Sequence, residues 1–589
     1  MKQFFGAFFG SILGIIISTL LALFLIIAVI KTSISKVSEK EEPISIIKDN
    51  SILKFVIDGL IVDRNLEDDP LNELKKIAPL GATDDNNKGL NLLIQKIKYA
   101  KNDDKIKGIY LNFKSLQAGF ATIEELRNAL IDFKSSGKFI YSYSEAMGQK
   151  EYYLASASTK IFINPQGGIE WKGLSTSILF YKKMFDKVGL DVQIFRHGKF
   201  KSAVEPFMVD KMSEANRYQT KTFLNSIWQT LLKGIAKERK VTETDLQNWA
   251  NNLSIRFPED AVGKLIDATA YEDEVLNELA KKTNAIDKPN FVALNAYSNY
   301  KFSESKNKIA VIYAIGSIES GQGDDETIGS DRIAKAIKDA RLNEHIKAIV
   351  LRVNSPGGSA LASDVMWREV VLAKKQKPVI VSMGDLAASG GYYISCAADY
   401  IFAQPNTITG SIGVFGMMPN FQKIIEEKLY IHVDSVNTNK YSDLGSLFRP
   451  VSKPEYDFIQ SSIEKVYDVF TNRVAEGRKM KQSDVDSVGQ GRVWSGIDAL
   501  KINLVDEIGG LENAIAYAAK SAKLTDYKTV DFPKLTNPFD KWLGKKEKDI
   551  ENKIMKLHFG EAYPIMMQLN EIIKTKGVQA RLPFQFSIN

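Results

Sequence analysis

The chain has 589 residues, more than one hydrophobic core supports, so at least two domains are expected. It is 44% hydrophobic and 25% charged, with 78 basic and 71 acidic residues intermixed; no basic stripe interleaved with aromatics points to nucleic acid. The single cysteine, Cys396, excludes an intramolecular disulfide and a cysteine metal cluster, and the four histidines have no helical metal-site spacing.

Phe4 to Ile30 is an uncharged apolar run, long enough for a ~30 Å hydrocarbon layer and too long for the hydrophobic part of a cleavable signal. It reads as a retained transmembrane anchor within residues 1–31, contacting the lipid bilayer through residues 4–30 and followed by a linker at 32–50. Gly6, Gly10 and Gly14 recur every four residues, a spacing that lets two helices approach closely. Lys31, Lys36 and Lys40 follow the run against Lys2 before it, so charge alone leaves its orientation open.

Beyond the anchor, the sequence repeats itself. IKGIYLNF from Ile106 matches IKAIVLRV from Ile346, an offset of 240 that also aligns Tyr152-Tyr153 with Tyr392-Tyr393 and KIFINP from Lys160 with YIFAQP from Tyr400. The same register sets the helix-like YKKMFDKVGLDV from Tyr181 against FQKIIEEKLYIH from Phe421. β-branched runs alternate with helical stretches in both copies, which predicts parallel βαβ units with catalytic groups at the carboxyl ends of strands. The expected fold class is α/β, with an N-terminal repeat at 51–300, a C-terminal repeat at 301–535 and a tail at 536–589. The charged run from Lys541 to Lys556 in that tail reads as a solvated or membrane-apposed helix without chemistry.

The copies differ where chemistry would lie. GDLAASGGYYISCAAD places Ser389 among small residues at a helix start, whereas the corresponding residue of the first copy is Gln149. GKFKSAVEPF in the first copy carries Lys201, whose counterpart is Tyr441. A serine hydroxyl needs a base to take its proton, and with no evident histidine the candidate is a lysine. That lysine must first lose its own proton, against an ordinary pKa of about 10.4; Phe200, Ala203 and Val204 supply apolar neighbours for the required desolvation. The competing readings are a surface lysine and a serine that merely packs in a Gly/Ala turn. The helix start after Ser389 offers free amides to an oxyanion, and RVNSPGGS adds those of Gly357 and Gly358. Ser355 and Ser359 compete as helix caps, and Ser411 in TGSIGV is placed to orient a neutral lysine.

Together LRVNSPGGS, SMGDLAASGGYYIS, NTITGSIGVFG and GKFKSAVEPF resemble the signal peptide peptidase A (protease IV) family in its long, duplicated bacterial form. The resemblance extends to about residue 530. It implies two tandem crotonase/Clp-protease-like repeats preceded by one transmembrane helix, a nucleophile at Ser389, a general-base lysine at Lys201, a helper at Ser411, and oxyanion amides at Gly358 and Gly390. Lys199, two residues away, fits the motif less well than Lys201. The family further implies a homotetramer in the bacterial cytoplasmic membrane, with catalytic domains on the extracytoplasmic side, that degrades cleaved signal peptides and other hydrophobic peptides without metal or cofactor. Two other classes remain for comparison. An acyl-coenzyme A enzyme would need neither the serine nor an anchor, and a non-catalytic membrane scaffold would tolerate loss of Ser389 and Lys201.

Overall fold

The computed structural model describes residues 47–64, 88–294, 296–297, 304–535 and 578–581. The expected anchor, most of the linker and nearly all of the tail lie outside these residues. Among the described residues no helix is long and apolar enough to cross a membrane.

Each copy builds a parallel sheet. The first sheet runs, edge to edge, through Ala268–Thr269, Lys160–Ile169, Phe139–Met147, Ile106–Phe113, Ser51–Ile57 and Phe291–Ala293, all parallel. Its central strands Phe139–Met147, Ile106–Phe113 and Ser51–Ile57 are buried along most of their length because both faces are covered. One face packs on helices Leu90–Asn102, Phe120–Lys134 and Glu214–Arg239. The other takes Val275 and Leu279 of helix Glu272–Lys282.

The second sheet repeats this plan with Val493–Ser495, Ile408–Gly410, Val379–Ala388, Ile346–Ser355, Lys308–Ile315 and Lys528–Phe532; only its Val493–Ser495 edge is antiparallel. Helices Ser330–Leu342 and Ala360–Lys374 cover one face and Leu511–Ser521 the other. The sequence register survives folding: the first two helices start at Leu90 and Phe120 in one copy, and at Ser330 and Ala360 in the other, 240 residues on each time.

One pair of matched segments departs from the expectation of a shared helix. Residues 181–192 split into helix Lys182–Val188, ended by left-handed Gly189 (φ 86°), and the start of strand Asp191–His197. Their counterparts form a single π-helical turn, Ile424–Lys428, and the chain to residue 450 has no helix or strand. Leucine, tyrosine and isoleucine at 429–431 are exposed there, so no core selects a strand.

The strand Asp191–His197 instead crosses to the other copy. It pairs antiparallel with Val414–Asn420, Val414 opposite His197, within a third sheet ordered Thr327–Gly329, Ser317–Glu319, Gly357–Ser359, Gln579–Arg581, Val414–Asn420 and Asp191–His197. This sheet delivers GKFKSAVEPF from the first copy onto the second.

Buried charge also joins the copies. The Arg352 guanidinium is paired with Asp63 and Glu125, each at 2.7 Å, with all three side chains at most 3% exposed. Asp385 accepts from the backbone amides of Ala121 (2.8 Å) and Thr122 (3.0 Å), capping the start of the first copy's helix Phe120–Lys134. A methyl group on Gly119 would lie 2.1 Å from the Asp385 carboxyl, so glycine is what allows this approach.

Candidate active site

Ser389 follows the last residue of strand Val379–Ala388 and immediately precedes the short helix Gly390–Ser395. Its backbone sits at φ 55° and ψ −113°, a conformation that a non-glycine residue adopts only when its surroundings enforce it. The enforcement is visible: the Ser389 amide donates to Gly410 O at 2.8 Å, while its carbonyl accepts from Tyr393 at 2.8 Å. The side chain is fully buried.

Lys201 reaches this serine from the first copy. Its Nζ lies 2.8 Å from Ser389 Oγ, 3.1 Å from Ser411 Oγ and 3.2 Å from Ser411 O. The amine-bearing side chain is itself fully buried, and burial holds its pKa well below the ordinary lysine value. Among the described residues no carboxylate offsets that burial. A lysine in this setting is neutral over a pH range where an exposed one is charged, and a neutral amine accepts a proton.

Two glycines permit the approach. A methyl group on Gly491 (φ 78°) would fall 2.6 Å from Lys201 Cβ, and one on Gly413 would fall 3.3 Å from Lys201 Cδ. The Lys201 turn is held at the backbone by Phe200, whose amide donates to Gln490 O at 2.8 Å. Gln219 donates to Phe200 O (3.0 Å) and Ser202 Oγ (2.8 Å), and accepts from the second copy's Val493 amide at 3.2 Å. Glu205 accepts from Ser213 and Asn216, fixing the next turn to the start of helix Glu214–Arg239. Sequence does not single out Gln219 and Asn216; three-residue spacing on one helix face is their only signal, and it is common.

Ser411, at φ 50°, is anchored by its amide to Arg492 O at 2.7 Å. Gly358 lies in strand Gly357–Ser359, and Gly390 opens the helix after Ser389. The two glycine segments touch: a methyl group on Gly357 (φ 94°) would lie 2.7 Å from the Gly390 amide nitrogen. Lys199 is exposed rather than buried with this cluster, its ammonium over the Phe200 ring.

The two competing serines separate. Ser359 caps helix Ala360–Lys374 by accepting from the Ala362 amide. Ser355 caps nothing, contrary to expectation: it donates to Gly316 O at 2.7 Å and accepts from the Gly357 amide at 3.1 Å, because Pro356 and a further strand separate it from the helix. Cys396 is buried, its thiol pushed up to about 12 by desolvation. Among the described residues no His/Cys/Asp/Glu group is arranged to hold a metal ion.

Comparisons with known proteins identify the family of the chain. Residues 132–286 and 372–525 match Peptidase family S49, once in each copy. Protease 4 of Salmonella typhi is 36% identical over 488 residues, 80% of this chain and 78% of that protein. The chloroplastic serine protease SPPA of Arabidopsis thaliana is 34% identical over 511 residues, 84% of this chain and 74% of that protein. A solved point mutant of ClpP1 from Listeria monocytogenes aligns over 35% of this chain and 94% of its own, at 16% identity and a TM-score of 0.24, too low to define the fold. Two matched family segments, extensive identity and a buried serine beside a buried lysine lead to one assignment: the chain belongs to peptidase family S49 and is a serine peptidase.

Proposed function

We propose that Ser389 is the nucleophile and Lys201 the general base of this peptidase, acting on signal peptides and similar hydrophobic peptides. The observation that carries the reading is the 2.8 Å separation of Lys201 Nζ and Ser389 Oγ, with both groups fully buried. Neutral Lys201 takes the hydroxyl proton as Ser389 attacks the peptide carbonyl. Ser411 aims the amine, and the amides of Gly358 and Gly390 hold the developing oxyanion. The protonated lysine then passes its proton to the departing amine. Water, deprotonated by the same lysine, hydrolyses the acyl-serine and regenerates the site.

The crotonase/Clp-protease-like fold of the repeats, the residue 4–30 anchor, the homotetramer and the extracytoplasmic catalytic face belong to the same proposal. The uncharged 4–30 run and the family resemblance of the four motifs support them. A lipid-embedded remnant is released beside an enzyme held in the same membrane, so anchoring raises the local substrate concentration.

The test compares hydrolysis of a synthetic signal-peptide substrate by wild type, Ser389→Ala and Lys201→Met. Both variants are expected to lose about 10⁴-fold or more in kcat, with circular dichroism unchanged. Hydrolysis by either folded variant near the wild-type rate would refute the dyad.

A further inference from the structure

The loop that holds the Lys201 turn has support of its own. Gln490 sits at φ 55°, a left-handed conformation that a non-glycine residue keeps only when its contacts enforce it. All four of its polar groups are used. On one side its carbonyl oxygen accepts from the Phe200 amide at 2.8 Å and its Oε1 from the Lys199 amide at 3.3 Å. On the other its amide donates to the Tyr467 hydroxyl at 3.1 Å, and its Nε2 donates to Asp486 Oδ1 at 2.8 Å. The next two residues reach the rest of the site. The Gly491 amide donates to Ile412 O at 2.6 Å, and Arg492 O accepts from the Ser411 amide at 2.7 Å. Residues 490–492 therefore grip the neighbours of Lys201 and Ser411 alike.

Tyr467 is where this loop meets the strand from the first copy. It lies on helix Lys453–Arg478 with Gln460 and Glu464, spaced so that all three share one face. Gln460 donates to Arg196 O at 3.1 Å, Glu464 pairs with His197 Nδ1, and the Tyr467 ring stacks on the His197 ring with centroids 3.8 Å apart. The strand that delivers Lys201 is thus clamped at its last two residues. The Tyr467 hydroxyl itself donates to Asp486 Oδ1 at 2.6 Å. Burial, and the bond to that carboxylate, push the Tyr467 pKa up, so the phenol keeps its proton.

We infer that Tyr467 is a positioning residue of the dyad: its hydroxyl sets Gln490, and Gln490 sets the turn that aims Lys201 at Ser389. The inference rests on the dyad proposed above. The hydroxyl bonds to Asp486 and Gln490 and not to the dyad, so it acts through the loop. Without it the Gln490 amide loses its acceptor, the loop relaxes away from Lys201, and water reaches the amine. Partial rehydration raises the lysine pKa toward its ordinary value, so less of it is neutral at a given pH.

The experiment compares wild type, Tyr467→Phe and Tyr152→Phe by kcat and KM on the synthetic signal peptide, and by the pH profile of Ser389 labelling with a serine-directed fluorophosphonate. Tyr467→Phe removes the hydroxyl and keeps the ring on His197. It is expected to lower kcat between about threefold and tenfold with KM unchanged, and to move the acid limb of labelling upward by roughly half a pH unit or more. Tyr152→Phe is the control for stability alone. It removes another buried tyrosine hydroxyl bond, to Leu265 O at 2.9 Å in the first copy, and should keep the wild-type kcat and acid limb. Asp486→Ala withdraws a partner of both Tyr467 and Gln490; combined with Tyr467→Phe it should be no slower than the slower single variant, because both act through one residue. A Tyr467→Phe enzyme with the wild-type kcat and acid limb overturns the inference and leaves the dyad standing, even where its unfolding midpoint falls. An equal shift in Tyr152→Phe, or additive losses in the double variant, also overturns it. A wild type with no acid limb removes the dyad as well.

Discussion

The two copies share strands, helices and register, yet a serine meets a lysine at only one of the two matching strand ends, and the contrast shows what that meeting requires. At the Ser389 position the first copy has Gln149, buried, whose side-chain oxygen accepts from the amides of Lys172 and Gly173 while its nitrogen donates to Gly173 O at 2.9 Å. That glutamine closes a loop. At the Lys201 position the second copy has Tyr441, 43% exposed on the segment that forms no strand. One fold thus presents the same strand end twice; the second, bridging element is built once, by Asp191–His197 pairing across to Val414–Asn420. A site of this kind needs both.

If the bridge works by bringing Lys201 in closely, crowding it should hurt most. Gly491→Ala introduces a methyl group 2.6 Å from Lys201 Cβ and forces a non-glycine residue to φ 78°. A base displaced by about an ångström costs up to about 10²-fold, so kcat should fall between about tenfold and hundredfold while the protein remains folded. Steady-state kinetics with circular dichroism reads this out; wild-type kcat would mean that the close approach is irrelevant.

A smaller effect tests the silent copy. Gln149→Ser recreates the hydroxyl but leaves the Lys172 and Gly173 amides without their acceptor, at a cost of about 1–3 kcal/mol in denaturant unfolding. With no lysine delivered to that strand end, a serine-directed fluorophosphonate should label Ser389 alone, and mass mapping identifies the labelled residue. Labelling at position 149 would show that the strand end suffices without the bridge.

Much of this was legible in the sequence because it is local. The offset of 240 carried from Ile106 and Ile346 into folded strands, and the helix starts at Phe120 and Ala360 kept it. Ser389 and Lys201 stand out because each replaces a different residue in the opposite copy. The third sheet was not legible. Its strands are short and drawn from distant parts of the chain, so neither alternation nor length announces Gly357–Ser359 or Gln579–Arg581. The start of Asp191–His197 reads as part of a helix because its pairing partner lies more than two hundred residues away. The joints were hidden for a related reason: Arg352, Asp63, Glu125 and Asp385 are ordinary charged residues until folding buries them against one another or against a helix end.

The central claim is that Lys201 is neutral where it meets Ser389. The most direct test is the pH dependence of fluorophosphonate labelling at Ser389 in wild type and Lys201→Met. Because burial depresses the lysine pKa, its neutral form persists below the range of an ordinary lysine and is lost only as pH falls through the lowered value. The expected wild-type profile is a plateau ending in an acid limb well below about pH 10.4, with Lys201→Met flat and slow throughout. A wild-type rate still climbing through about pH 10.4, or a Lys201→Met profile that coincides with wild type, would contradict the account.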